Sequence, residues 1–521
     1  MNQLDVAIVG GGLAGNLLAR QLVRRRPDLR IGLFEREGST SFKVGEATVE
    51  IASNYLTRRL GLSSYLYERQ LPKNGLRYFF DTEDRSSPLT EMSEMGTVNL
   101  PFHPAFQLDR AALEADLLEM NRRDGVQVRT ATRVSRIRLG AGGEPHRFET
   151  DDGSGPVSHA ARWLIDASGR TGLLARELGL RVQEPGHRLG SVWGRFEGVA
   201  DIDTHGPEAW RARVRHTARR LSTIHFMYPG YWVWFIPLRG GLTSVGVTGE
   251  AMAENRELRT PEGFCAFLDS HRAIGELLAP AKLIDIGSYR RIAYGTRRLF
   301  HADRWALVGE AATSADPLYS PGSDFISLEN DLVTDLVTRD LAGEPADAWS
   351  ERCELYDAFV RFRHEAAILL YQGLYGTLGS FELARAKWDF DIGCYYNLWA
   401  SYYLRDAHLD TDWLRGQLRL RPLVLRFLET FSELFRRVEG ELRARGQFYR
   451  ANTGRFHYGL ENIDFAEDVG TERSEGEVMA TTLRIFNLAR GQALEMLGQA
   501  ASHRDVPPLP MAAFLSGRAL A

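Results

Sequence analysis

Glycines stand at positions 10, 11, 12 and 15 of the 521-residue chain, and a glutamate stands at 35. The run Gly10-Gly11-Gly12-Leu13-Ala14-Gly15 has the spacing GxGxxG. In such a run the first glycine permits a tight turn, Gly12 lets backbone approach a pyrophosphate, and Gly15 lets a helix pack closely on a strand. The phosphates then rest on the positive end of the helix that Leu13 and Ala14 begin. Glu35 follows Gly15 by 20 residues, where a carboxylate accepts hydrogen bonds from ribose hydroxyls. An acid there disfavours a 2′-phosphate, so the nucleotide expected is FAD or NAD rather than NADP.

The spacing means little without elements to position it, and the flanks supply them. Leu4 to Val9 is a short apolar run that stops at the glycines, Leu13 to Arg25 has helical apolar spacing and ends before Pro27, and Arg30 to Phe34 reads as a second buried strand. This is a βαβ unit with the glycines at the helix N-terminus. A helix is expected from Arg110 to Arg123, and strands at Val126 to Ile137, Trp163 to Ile165 and Trp305 to Val308 are expected to return to the same sheet. Two of these strands end in Asp166-Ala167-Ser168-Gly169-Arg170 and Gly309-Glu310-Ala311-Ala312. Segments so placed favour FAD over NAD, because FAD folds hold the cofactor with several separate segments. With Arg110 in Leu108-Asp109-Arg110 they resemble the para-hydroxybenzoate hydroxylase-like flavoproteins, in which an arginine begins a flavin-contacting helix. Glu310 departs from the usual aspartate, and its longer side chain still reaches ribityl hydroxyls.

Three further segments narrow the resemblance to the flavin-dependent halogenases, the tryptophan halogenase-like family. Lys43-Val44-Gly45-Glu46-Ala47-Thr48-Val49 resembles their GEAT segment, Trp232-x-Trp234-x-Ile236-Pro237 matches WxWxIP in full, and Asp316-Pro317-Leu318-Tyr319-Ser320-Pro321-Gly322 resembles their DPLxSxG loop. The likeness covers Val6 to Asp340. It implies that FAD, as FADH2 delivered by a separate flavin reductase, reacts with oxygen to a hydroperoxide that halide attacks, and that hypohalous acid then crosses to a lysine beside the substrate. It implies a cofactor set of Gly10, Gly12, Leu13, Ala14, Gly15, Glu35, Glu46, Ala47, Arg110, Asp166, Gly309, Glu310, Pro317, Gly322 and Ser323. Ser320, Gly322, Trp232, Trp234 and Tyr319 are the residues it places near halide or substrate, the tryptophans keeping substrate away from the flavin. Lys73, in Leu71-Pro72-Lys73-Asn74-Gly75, is the expected catalytic lysine, because an ammonium hydrogen-bonds hypohalous acid and a neutral amine forms a haloamine. Lys43 is the reserve.

Two departures bear on function. Pro321 follows Ser320 where the family supplies backbone N–H groups to the halide, and proline has none. Gly322 and Ser323 remain as donors. Tyr319 stands where the tryptophan-specific members carry a glutamate, so an electron-rich phenolic or pyrrolic aromatic, free or tethered to a carrier protein, fits better than free tryptophan. The rival readings are an FAD-dependent monooxygenase or dehydrogenase that uses no halide, favoured by Pro321, and a flavin-binding scaffold without turnover.

The rest of the chain sets the frame. Hydrophobic residues at 44%, charged residues at 25% and a net charge of −4 describe an ordinary globular protein with no nucleic-acid signature. Cys265, Cys353 and Cys394 lie far apart with no metal spacing, and no run of about 18 apolar residues offers a membrane span. A cytoplasmic protein with no metal is expected. The fold class expected is α/β: a discontinuous Rossmann-like FAD-binding domain (1–190 and 296–343), an antiparallel β-sheet substrate layer (191–295) turning at Gly240-Gly241, and a C-terminal helical region (344–521) with an irregular tail from Pro507. In that region Tyr395, Trp399 and Tyr402 share helical spacing and would line a planar pocket or a buried face, and Arg415 to Arg426 reads as a solvated helix edge. His225 reads as a core histidine rather than an acid or base.

Overall fold

The computed structural model describes residues 2–250, 252, 254–458, 466, 469–500 and 502. The tail from Pro507 lies outside them. The strand Asn2–Val9, the helix Leu13–Arg25 and the strand Ile31–Phe34 form the expected βαβ unit. Val6, Ala7, Ile8, Ile31 and Leu33 are buried, as near-continuous apolar runs in a parallel sheet must be. Asn2–Val9 pairs in parallel with Ile31–Phe34 on one side and with Val157–Asp166 on the other. Trp305–Leu307 continues the parallel order beyond Val157–Asp166, and Gln127–Arg129 does so beyond Ile31–Phe34. Val9 is opposite both Phe34 and Asp166, and Asp166 is opposite Leu307. Gly10, Glu35, Ala167 and Val308 therefore leave the sheet side by side at the carboxyl ends of its strands, where open α/β sheets bind ligands.

The expected single strand from Val126 to Ile137 is two strands, Gln127–Arg129 and Arg133–Arg138. Ala131 sits at φ +50° and donates its N–H to Glu37, and this kink sends the second strand to pair with His146–Asp151 instead.

The second sheet has nine strands and is mostly antiparallel, but it reaches beyond residues 191–295. Leu76–Phe80 pairs in parallel with Thr223–Tyr228, and Phe456–His457 pairs in parallel with Ser93–Gly96. Gly240 and Gly241 both take positive φ at the tight turn between Tyr231–Pro237 and Leu242–Gly249. Side chains alternate across the sheet. Val233 and Phe235 pack with Phe226, Val245 and Val247 under the helices Pro261–Asp269 and Arg272–Leu278. Trp232, Trp234 and Ile236 face the other way, into a layer with Leu318, Tyr375 and Trp388. His225 lies in that layer too, stacked on Tyr78, and burial pushes its pKa down to about 3, so it is a neutral core residue.

Beyond residue 344 the described chain is largely helical: Ala346–Leu369, Phe381–Gly393, Thr411–Ala444 and Glu475–Met496. Arg415 and Arg421, from the arginine-rich run, form ion pairs across to Glu351 and Glu365 of Ala346–Leu369. No described helix is long and apolar enough to cross a membrane, and no group of His, Cys, Asp and Glu among the described residues could hold a metal ion.

Candidate functional site

Local backbone geometry makes a phosphate cradle of the glycine run. Gly10 turns at φ +113°, and a Cβ there would overlap the carbonyl of Ala167 on the neighbouring strand. A Cβ on Gly15 would overlap the carbonyl of Gly10, so only glycine lets the helix start this close to the strand. Beside Gly12 the space is open, with nothing within 4 Å of a Cβ built there. No side chain caps the helix at Gly12, which leaves its first N–H groups free to face an anion. Glu35 is half-buried at the end of its strand and accepts the Gly11 N–H at 2.6 Å. The open floor, the uncapped helix and the adjacent carboxylate fit a dinucleotide.

The other cofactor segments gather at the same edge. Asp166 is buried, and its carboxylate accepts the N–H groups of Ser168 (2.9 Å) and Leu174 (2.8 Å), so it shapes the turn it begins. Gly309 takes φ +61° against Ala14, and its N–H is held by the buried Glu329. The Glu310 side chain is half-buried and pairs with Arg170 at 3.2 Å, while Arg170 stacks over Tyr289. Arg110 opens its helix behind the N-cap Asp109, bonds Glu114 through Nε at 3.0 Å and donates to the Val44 carbonyl at 2.8 Å. Lys43 is tied to the same Glu114 (2.7 Å) and does not line the cavity described below. Glu46 is buried against Arg195 at 2.7 Å, and burial outweighs that partner to push its carboxyl pKa up. Ala47 forms a bridge to Gln107.

Lys73 follows the two-residue strand Leu71–Pro72 and is 1% exposed. Its ammonium donates to the carbonyl of Thr48 at 2.8 Å, so the GEAT segment supplies the acceptor for the lysine. Burial draws its pKa down to about 8, against the pull of Glu50 and Asp324. Lys73 lies on the wall of a cavity of ≈ 170 Å³ with Tyr78, Tyr319, Trp388, Tyr395 and Trp399. Tyr402 lines it as well, so the helical aromatic spacing marks a cavity wall. Tyr395 donates to Asp324 (3.2 Å), Tyr396 to Glu50 (2.6 Å) and Tyr319 to Asp391 (2.7 Å), which keeps the carboxylates bound within aromatic walls. Burial lifts the Asp324 carboxyl to about 7.

The loop between Asp316 and Gly322 joins this cavity to the nucleotide edge. Pro317 accepts the Ser320 N–H at 3.0 Å. Ser320 stands in the left-handed region at φ +58°, and Pro321 is the first residue of the 21-residue helix Pro321–Leu341. Proline fits that position, where no intrahelical N–H bond exists to be lost. The N–H groups of Gly322 and Ser323 donate to no acceptor among the described residues, so the helix end presents two backbone donors instead of three. Trp232 and Trp234 are buried and line no part of the cavity. The Trp232 indole N–H donates to the Tyr375 hydroxyl (3.1 Å), which donates to Asp316 (2.7 Å), with His187 on the same Asp316 oxygen (2.9 Å). The aromatic strand thus braces the loop from below.

Several of these groups had no signal in the sequence. Arg195, His187 and Tyr375 lie far in the chain from Glu46 and Asp316, the motif residues they meet. Asp316 is already inside the loop motif, and the ion pair of Lys387 with Asp391, at four-residue helical spacing, could have been noticed.

The FAD binding domain family model matches residues 3–323. The chain is 25% identical over 444 residues to flavin-dependent halogenase chlA of Dictyostelium discoideum, covering 78% of this chain and 72% of that protein. It is 27% identical over 347 residues to tetracycline 7-halogenase of Kitasatospora aureofaciens, covering 61% and 60% of the two chains. The crystal structure of halogenase PltM in complex with phloroglucinol and FAD superposes with a TM-score of 0.65 at 19% identity over 99% of this chain and 98% of that one, which establishes a shared fold. The chain belongs to the FAD binding domain family and is an FAD-dependent oxidoreductase similar to flavin-dependent halogenases.

Proposed function

We propose that the protein halogenates an electron-rich phenolic or pyrrolic aromatic with chloride or bromide, using FADH2 from a separate flavin reductase. The observation that carries this is Lys73: a fully buried lysine with a depressed pKa, on the wall of an aromatic cavity, where solvent cannot compete for its N–H groups. Gly10, Gly12, Leu13, Ala14 and Gly15 would hold the pyrophosphate and Glu35 the ribose. Arg110, Asp166, Gly309 and Glu310 would hold the ribityl side, and Glu46, Ala47, Pro317, Gly322 and Ser323 the flavin ring. Reduced FAD with dioxygen supplies the oxidising power that makes hypohalous acid from halide.

This chain's residues do the rest. Gly322 and Ser323, on the positive end of their helix, hold the halide beside Ser320. Lys73 holds hypohalous acid by an N–H hydrogen bond and steers its halogen to one ring carbon. The carbon–halogen bond forms as the oxygen–halogen bond breaks, and the proton the carbon loses, relayed by Glu50 or Asp324, converts the departing hydroxide to water. Trp232, through Tyr375, keeps the loop from Asp316 to Gly322 in position, Trp234 packs beside it, and the phenol-rich wall, Tyr319 included, sandwiches the ring. The expected result is that Lys73→Ala loses halogenated product while FAD binding is unchanged, read by mass spectrometry with FAD, reductase, bromide and a panel of phenols and pyrroles. Unchanged halogenation in that variant refutes the assignment. A second reading, monooxygenation without halide, is favoured by Pro321, which removes one halide donor; product that gains oxygen and no halogen would establish it.

A further inference from the structure

Among the charged groups that line the cavity, Arg363 is set apart. Lys73 donates to Thr48, His408 pairs with Asp331 at 3.1 Å, and the carboxylates of Glu50, Asp324 and Asp391 all accept hydrogen bonds. Arg363, on the helix Ala346–Leu369, forms no hydrogen bond and no ion pair among the described residues. Its guanidinium lies flat on Trp399, with its central carbon 3.7 Å from the ring centroid. A guanidinium has five N–H donors in a planar fork, and those of the half-buried Arg363 are open to the cavity it lines rather than spent on protein acceptors. Stacking satisfies its face and none of those donors. Asp324 is near enough to both Lys73 and Arg363 to act on the charge of each, so the two cations belong to one chamber.

We propose that the substrate is a free aromatic acid whose carboxylate pairs with Arg363 while its ring, between the aromatic walls, presents a carbon to Lys73. The inference rests on the reading of this cavity as the substrate site. A carboxylate matches the fork of a guanidinium with two parallel hydrogen bonds. A ring tethered to a carrier as a thioester has no such anion, so Arg363 selects a free acid against a tethered one.

The test compares 2,4-dihydroxybenzoate with its methyl ester and with resorcinol, and 6-hydroxy-2-naphthoate with its methyl ester, by equilibrium dialysis against the FAD-loaded protein. A charge-assisted pair gives the acid an advantage of roughly tenfold or more over the ester in wild type. In Arg363→Gln the advantage falls below about twofold with the ester's affinity unchanged, and Arg363→Lys keeps part of it because it keeps the charge without the fork. Equal binding of acid and ester in wild type, failure of every acid to bind, or an undiminished preference in Arg363→Gln that still takes up FAD overturns the proposal. The wild-type comparison decides it even if Arg363→Gln does not fold. Arg363-dependent binding of acids without any halide-dependent product refutes the halogenase reading and leaves this inference standing. Halogenation of ester and acid at the same rate does the reverse.

Discussion

Replacing Lys73 by methionine should make the protein more stable at neutral pH while abolishing halogenation. Lys73 is 1% exposed, and burial lowers its pKa from the ordinary 10.5 to about 8. Between those values the unfolded chain holds a proton that the folded protein has released, so stability rises with pH through that window. Below pH 8 the folded state carries the whole cost of a buried ammonium, roughly 3 kcal/mol at about 1.4 kcal/mol per pH unit. Methionine fills similar space without charge, but it leaves the Thr48 carbonyl without the lysine donor, at about 1–2 kcal/mol. The net gain for Lys73→Met is therefore about 1–2 kcal/mol at pH 7. It should shrink as pH rises from 8 to 10.5 and then reverse by the cost of the unpaired carbonyl. Urea unfolding of both proteins at half-unit steps from pH 7 to 10.5 measures this, because every group other than Lys73 cancels in the difference. A variant less stable than wild type at pH 7, or a difference that stays flat across the series, would show that the folded protein does not bear the charge as argued. A gain in stability with loss of activity is what a polar group held in an apolar cavity for chemistry should give.

Three more outcomes follow from the geometry. Pro321→Ala restores a third N–H at the first turn of its helix without disturbing it, so the KM for chloride or bromide should fall about tenfold at unchanged saturating rate, as one added hydrogen bond to an anion implies; steady-state rates against halide concentration check it, and an unchanged KM removes that helix end as the halide site. Glu35→Gln should weaken FAD binding by about tenfold or more in a flavin fluorescence titration, since a charge-assisted acceptor becomes a neutral amide. Glu94 is buried between Arg77 (2.5 Å) and Arg219 (2.8 Å), both within 1% of full burial, so Glu94→Gln leaves two uncompensated guanidiniums and should cost about 3–5 kcal/mol in urea unfolding.

The features legible in the sequence are those whose physics is local. Gly10, Gly12 and Gly15 announce a nucleotide turn because the steric demands of that turn fall on consecutive residues, and Glu35 follows from the fixed length of one helix and one strand. Pro321 announces a missing N–H donor through its own ring, and the alternation of Trp232, Trp234 and Ile236 places all three on one face of a strand. Local reasoning could not say what that face meets: the Trp232 indole braces the Asp316 loop through Tyr375, the Trp234 indole donates to Ser244, and neither lines the cavity. Ala131 carries no residue-type signal for the left-handed turn that divides the strand expected from Val126 to Ile137.

Assembly of the chamber belongs to the tertiary structure. Lys73 gains its chemistry from the Thr48 carbonyl 25 positions earlier and from walls contributed by residues near 320, 363 and 390–400. Its pKa is set by what surrounds it, because desolvation depends on packing density and not on neighbours in the chain. Arg363 is an ordinary helix residue in the sequence; only the fold places it over Trp399 with its donors unmet. The sequence alone determined that the protein holds a dinucleotide without a 2′-phosphate, since a backbone turn and one carboxylate suffice for that. Which groups share a dry cavity with the aromatic walls was decided by folding, since it depends on contacts between segments hundreds of residues apart.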